Sequence, residues 1–111
     1  MFVVKRTFNY ILKDDRDSDN PTIFKMKLLT KLGLEELSVK LKKISKITDP
    51  KKATVENRKL FCENVISVSG IEDEGKQRQI EPGEFFDLVS FAVADDVLFS
   101  VLRRDEDEAK N

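Results

Sequence analysis

Apolar side chains recur at every second position near the start of the chain. Phe2, Val4, Phe8, Tyr10 and Leu12 share one parity, broken only by Arg6. Period two with β-branched and aromatic residues predicts a strand over 2–12 with one buried face. Residues 13–21, KDDRDSDNP, predict a loop. Asp and Asn side chains bond nearby backbone, and Pro21 pushes Asn20 towards extended geometry. Alternation resumes over 22–29, with Phe24, Met26 and Leu28 on one side. Together these strands predict an antiparallel hairpin, which must pack on something to be stable in water.

The period then changes. Thr30 is a helix-capping residue, and Leu34, Leu37, Leu41 and Ile44 follow helical spacing. Asp49-Pro50 breaks that helix and opens another with Pro50 in its first turn. Val55, Leu60, Phe61, Val65 and Val68 predict that this second helix runs over 51–69, with Gly70 as its stop. Residues 71–81 are polar, contain Gly75, and predict a loop. Pro82 predicts a further helix start ahead of Phe85, Leu88, Val89, Phe91 and Ala92. Ala94 marks a turn, and Asp95 caps a last helix with Val97, Leu98, Val101 and Leu102 on one side. Two strands followed by three or four packed helices make an α+β fold. The expected organisation is one domain over 1–104 and a charged tail over 105–111.

Composition sharpens this picture. The 111 residues are the length of one domain. The apolar share of 40% supports one modest core. The charged share of 37% exceeds the usual ~25%, so much of it must coat helices and loops. Charge is uneven: residues 1–69 carry 15 Lys/Arg against 9 Asp/Glu, whereas residues 70–111 carry 5 against 12. A single cysteine, Cys62, rules out an intrachain disulfide and fits a reducing compartment. No apolar run approaches a membrane span, and the first residues lack the order of a signal peptide, so the expectation is a cytoplasmic protein.

Candidate chemistry is sparse. The chain has no histidine, which removes most zinc sites, the Ser-His-Asp triad and the commonest general base. Its four glycines form no phosphate-cradling loop. Asp15, Asp17 and Asp19 alternate like a calcium loop. The register fails, because Asn20 stands at the sixth position and Met26 at the twelfth. Asp95-Asp96 has no context for acid/base work, and Cys62, within an apolar helical pattern, reads as buried or half-buried. The expectation is a non-enzyme with no metal and no cofactor.

Two charged stretches and one apolar set remain. Lys40, Lys42, Lys43, Lys46, Lys51 and Lys52 cluster without Arg or aromatic neighbours. They read as a solvated helix face ahead of an anion-binding or nucleic-acid surface. Asp105 to Glu108 read as a solvating end ahead of a docking peptide. Phe85, Phe86, Phe91 and Phe99 mix several helical faces, so some are expected in a patch for a partner or a second copy.

The segments YILKDDRDSDNPTIFKMKLLT and VISVSGIEDEGKQRQI carry a resemblance. The N-terminal segment is similar to a strand, Asp-Arg, a polar turn, Pro-Thr, a strand and a Leu-Thr helix opening. The later segment is similar to Val-x-Gly, an acidic turn, Gly and a polar stretch. In that order they resemble the small tail assembly chaperones of long-tailed bacteriophages across nearly the whole chain. The chain departs from the pattern at Ile71, where a Trp is expected after the glycine. The resemblance implies a non-catalytic protein of the infected host cytoplasm. It would bind the tape-measure protein, keep that protein's apolar helices from aggregating and help recruit tail tube subunits. It also implies that the charged end at Arg103–Asn111 is compatible with a frameshift junction. Under this reading the expected contact residues are Phe85, Leu88, Phe91, Val97 and Val101, which serve equally well as core.

Other readings stay open. One is a connector or tail-completion subunit retained in the virion as a ring. Another is a small nucleic-acid-associated regulator using Lys40–Lys52, and a third is an anti-host inhibitor.

Overall fold

The computed structural model describes residues 1–110, with side chains through Arg103. The chain is α+β, as expected, but its strands and helices interleave. The order is β1 (Thr7–Tyr10), β2 (Ile23–Lys27), α1 (Lys31–Ser45), α2 (Pro50–Asn64), β3 (Val65–Asp73), β4 (Lys76–Ile80), α3 (Pro82–Leu88) and α4 (Phe91–Lys110). The four strands form one antiparallel sheet in the order β1-β2-β3-β4, with α1 and α2 inserted between its middle strands.

Alternation sets the two faces of the sheet. Tyr10, Phe24, Met26, Val65, Val68 and Ile80 are buried under the helices. Asn9 opposite Lys25, and Lys27 opposite Thr7, lie on the other face, where Asn9, Lys25 and Lys27 are exposed. Phe61 from α2, Phe85 and Phe86 from α3, and Ala94, Val97, Leu98 and Val101 from α4 complete a single core. From α1 only Leu37 is fully buried. Each of α1 and α2 begins where its capping chemistry sits. The Thr30 side chain accepts from the Gly33 amide at 3.0 Å, and Asp49 accepts from the Lys51 amide at 3.0 Å, ahead of Pro50.

Five expectations are corrected. The first strand is shorter than 2–12, because β2 gives way to the α1 cap at Thr30 and leaves residues 1–5 without a neighbouring strand. The helix expected over 51–69 ends at Asn64, and Val65–Asp73 form β3. Val65 and Val68 are three apart, which fits helical spacing. From β3 both reach the core because the ladder shifts register opposite Lys25 and Met26, and the β-branched run Val65-Ile66 favours strand.

Gly70 is therefore not a helix stop. It sits at a bulge between the Val68–Ile80 and Ile71–Arg78 pairs with φ of +76°. A Cβ there would lie 2.7 Å from the Pro21 carbonyl oxygen. The expected loop over 71–81 is instead the end of β3, a two-residue turn at Glu74-Gly75 with both φ positive, and β4. Lys76-Gln-Arg-Gln has no apolar alternation to announce a strand.

The fourth correction concerns the last helix. It starts at Phe91, not after Asp95. The Ser90 hydroxyl accepts from the Val93 amide at 3.3 Å, and the Ser90 carbonyl from Ala94 at 3.1 Å. Ala94 is thus a buried helical residue and not a turn. Cys62 is exposed, because α2 turns Leu60, Phe61 and Asn64 inwards. The expected charged tail over 105–111 lies outside the residues whose side chains are described.

Candidate partner-binding surface

The corner between α3 and α4 exposes two large apolar side chains close together in sequence, Leu88 and Phe91. Pro82 presets the first turn of α3, which lasts only seven residues and buries Phe85 and Phe86. Leu88 at its end is 73% exposed. Val89 takes an extended conformation that separates the two helices, and Phe91 opens α4 at 58% exposure.

Of the five residues expected to meet a partner, Leu88 and Phe91 are at the surface. Phe85, Val97 and Val101 are buried in the core. Two further apolar residues of α4 reach the surface. Phe99 and Leu102, each 37% exposed, stand eight and eleven positions after Phe91, with Asp95 four positions after it. That spacing lines Phe91, Asp95, Phe99 and Leu102 along one side of α4 over about 16 Å. Ala94, Val97, Leu98 and Val101 form the buried side. The spacing signal was present in the sequence, but it was hidden by placing the helix start after Asp95, which assigned Leu102 to the buried face.

The stripe is anchored through aromatic rings. Tyr10 meets Phe24 at 6.5 Å between centroids, Phe24 meets Phe85 edge-on at 5.0 Å, and Phe85 stacks on Phe61 at 6.1 Å. Phe61 meets Phe86 at 5.5 Å, and Phe86 meets Phe91 edge-on at 6.4 Å. Phe91 is the surface end of this series, so its backbone and one ring edge are held while its outer face stays open. Partial burial raises the Asp95 carboxyl above its ordinary value.

A polar cluster fixes α4 on the sheet. The Tyr10 hydroxyl donates to Asp96 Oδ2 at 3.0 Å, and Arg103 Nη2 donates to Asp96 Oδ1 at 2.8 Å and to the Tyr10 oxygen at 3.2 Å. The Arg103 and Arg16 guanidiniums lie 5.8 and 5.9 Å from the centre of the Tyr10 ring. Burial, then the bond to Asp96, raises the Tyr10 phenol further above 10.0, so it remains a proton donor here. On the far side of the core, Arg58 on α2 grips Asp87 on α3 with two bonds of 3.0 and 3.1 Å.

Another surface lies between α1 and α2. Lys40, Lys43, Lys52 and Lys59, with Glu56 and Glu63 among them, line a groove of about 340 Å³ together with Ile44, Ile47 and Leu60. Lys40 pairs with Glu63 at 3.4 Å and Lys59 with Glu56 at 3.2 Å. Three of the six clustered lysines, Lys40, Lys43 and Lys52, thus converge, and no aromatic residue lines the groove.

The acidic loop has a structural role. Asp15 accepts from the Thr22 amide at 2.7 Å and closes the segment that links β1 to β2. Among the described residues, no group of three or more Cys, Asp or Glu side chains is placed to hold a metal ion. No helix of the described residues is long and apolar enough to cross a membrane.

These features define a small two-layer α+β domain with an apolar stripe on its last helix. No protein-family model, curated protein or solved structure matches this chain.

Proposed function

We propose that this chain is a non-catalytic protein-binding module that receives an apolar helical segment of its partner along Leu88, Phe91, Phe99 and Leu102. The observation that carries this reading is the exposed stripe itself, with its edge seated on buried aromatic rings and an acidic group at its centre. An apolar strip of three helical turns flanked by charge suits helix capture, and the charge keeps the free protein soluble. The partner class comes from the sequence resemblance. The chain acts as a tail assembly chaperone in the infected host cytoplasm and shields the helices of a tape-measure protein. The tail tube protein is its other client.

The test is co-expression with the tape-measure protein of the same genome. The unaltered chain is expected to keep that protein soluble and to co-purify with it. Phe91→Ser combined with Phe99→Ser is expected to lose both effects while retaining the circular dichroism of the parent. Retention by the double variant, or a tape-measure protein that stays insoluble with the unaltered chain, overturns the reading.

One observation favours an alternative. The lysine-lined groove offers positive charge beside apolar side chains, which suits an acidic partner or a nucleic-acid backbone. Binding there would weaken steeply with added salt, whereas capture on the stripe would not.

A further inference from the structure

The sheet has two edges, β1 and β4, and they differ in chemistry. β4 presents exposed Lys76 and Arg78, and Arg78 is tied to Asp73 and Glu84 at 2.6 and 3.1 Å. Charge at an edge discourages pairing with another chain. β1, Thr7–Tyr10, carries no charged residue, and Lys5 and Arg6 directly precede it.

The segment before β1 adds to the contrast. The Leu28 amide donates to the Arg6 carbonyl at 2.9 Å, so the ladder reaches one step beyond Thr7–Lys27. Continuing that register would place Lys5 opposite Leu29 and Val4 opposite Thr30, but Thr30 caps α1 and the partner strand is gone. Phe2, Val3 and Val4 are 100%, 76% and 76% exposed as a result.

The hydrogen-bonding direction follows from the same bond. The Leu28 amide bonds the Arg6 carbonyl directly across the ladder, which makes Arg6–Leu28 a hydrogen-bonded position, and such positions recur at every second residue. Phe8 and Tyr10 therefore face β2, while the backbone N–H and C=O of Thr7 and Asn9 point away from it.

We infer that the chain forms a two-fold dimer by pairing β1 and residues 2–6 antiparallel with the same segment of a second copy, centred on Thr7. This register is self-complementary. It sets Thr7 against Thr7, Lys5 against Asn9, Arg6 against Phe8 and Val4 against Tyr10, so no like charges stand directly opposite, and the two Arg6 side chains are diagonal neighbours. The pairs Thr7–Thr7 and Lys5–Asn9 use the outward backbone groups. Val4 and Phe2 continue the parity of Phe8 and Tyr10, with Arg6 the one charged break between them, so they extend the apolar face of the sheet. Two four-stranded sheets become one of eight strands, closed by symmetry. The inference is independent of helix capture on α4.

The experiment measures mass by light scattering over a dilution series for the full chain and three variants. The unaltered chain is expected at twice the monomer mass. Asn9→Pro removes an N–H that points away from β2, and an edge strand tolerates this, so the fold should persist while the mass halves. Removal of residues 2–5 tests the same contact without touching β1 and should also halve the mass. In a Cys62→Ser background, Thr7→Cys should oxidise to a covalent dimer. The expected Cα separation of a hydrogen-bonded pair, ~5.5 Å, lies within disulfide reach. A chain that is monomeric throughout overturns the inference, as does a dimer that survives both Asn9→Pro and the deletion. Failure of Thr7→Cys to cross-link overturns the register. If Asn9→Pro does not fold, the deletion and the cross-link decide.

Discussion

Phe24, Phe61, Phe85 and Phe86 on one hand, and Leu88, Phe91, Phe99 and Leu102 on the other, are equally apolar. The first set lies at 0–7% exposure and the second at 37–73%. The difference comes from geometry and not from residue type. α3 is only seven residues long, so its Phe85 and Phe86 turn inwards while Leu88 falls at its end. On α4 the buried face is already filled by Ala94, Val97, Leu98 and Val101, and the stripe one step around the helix has no layer left to cover it. Apolarity announces that a residue will be hidden somewhere. Which residues this domain hides for itself is decided by where its helices stop.

The largest break in that comparison is expected inside. Phe61→Ala removes a fully buried ring that touches Phe85 and Phe86, at a cost of about 3–5 kcal/mol, read from the urea midpoint. For a domain this small that is a large part of its whole stability. Gly70→Ala tests the backbone instead. Its left-handed conformation and the Pro21 oxygen predict a loss of about 1–3 kcal/mol, measured the same way. Tyr10→Phe leaves the ring but strips the bond to Asp96, and about 1 kcal/mol is expected from thermal unfolding.

At the surface the effects on stability shrink and those on binding grow. Phe91→Ser is expected to cost about 1 kcal/mol or less, from its edge contact with Phe86, while capture of a partner helix falls at least tenfold by titration. Asp95→Asn has the smallest effect, and pH gives its sign. Burial raises the folded-state value of Asp95, so its stabilising contribution is complete below the ordinary value of 3.8 and is lost as pH rises through the raised one. The asparagine variant should therefore be slightly more stable than the parent at neutral pH. That advantage should vanish towards acid, when paired unfolding midpoints are compared across pH.

Much of the local structure was legible. Thr30, Asp49-Pro50 and Pro82 mark helix starts, because caps and preset φ angles act through a few neighbouring atoms. Period two over Phe8–Tyr10 and Phe24–Met26 marks the hairpin, because alternation needs only one covered face. β4 was illegible, since Lys76-Gln-Arg-Gln faces water on both sides and its place in the sheet rests on backbone pairing with β3. The candidate surface was half legible. Leu88 and Phe91 were identified together with three core residues, and Phe99 and Leu102 separated from the core only once α4 was known to begin at Phe91.

The sequence by itself therefore determined the α+β class, three helix starts, the hairpin and the absence of histidine-based chemistry. Each of these is a property of composition or of neighbours along the chain. Tertiary structure alone decided that Val65–Asp73 is a strand and that Gly70 is a bulge against Pro21. It alone decided that β1 is an uncharged edge and that one side of α4 stays open. Each of these depends on what lies opposite a residue in space, and periodicity along the chain carries no record of that.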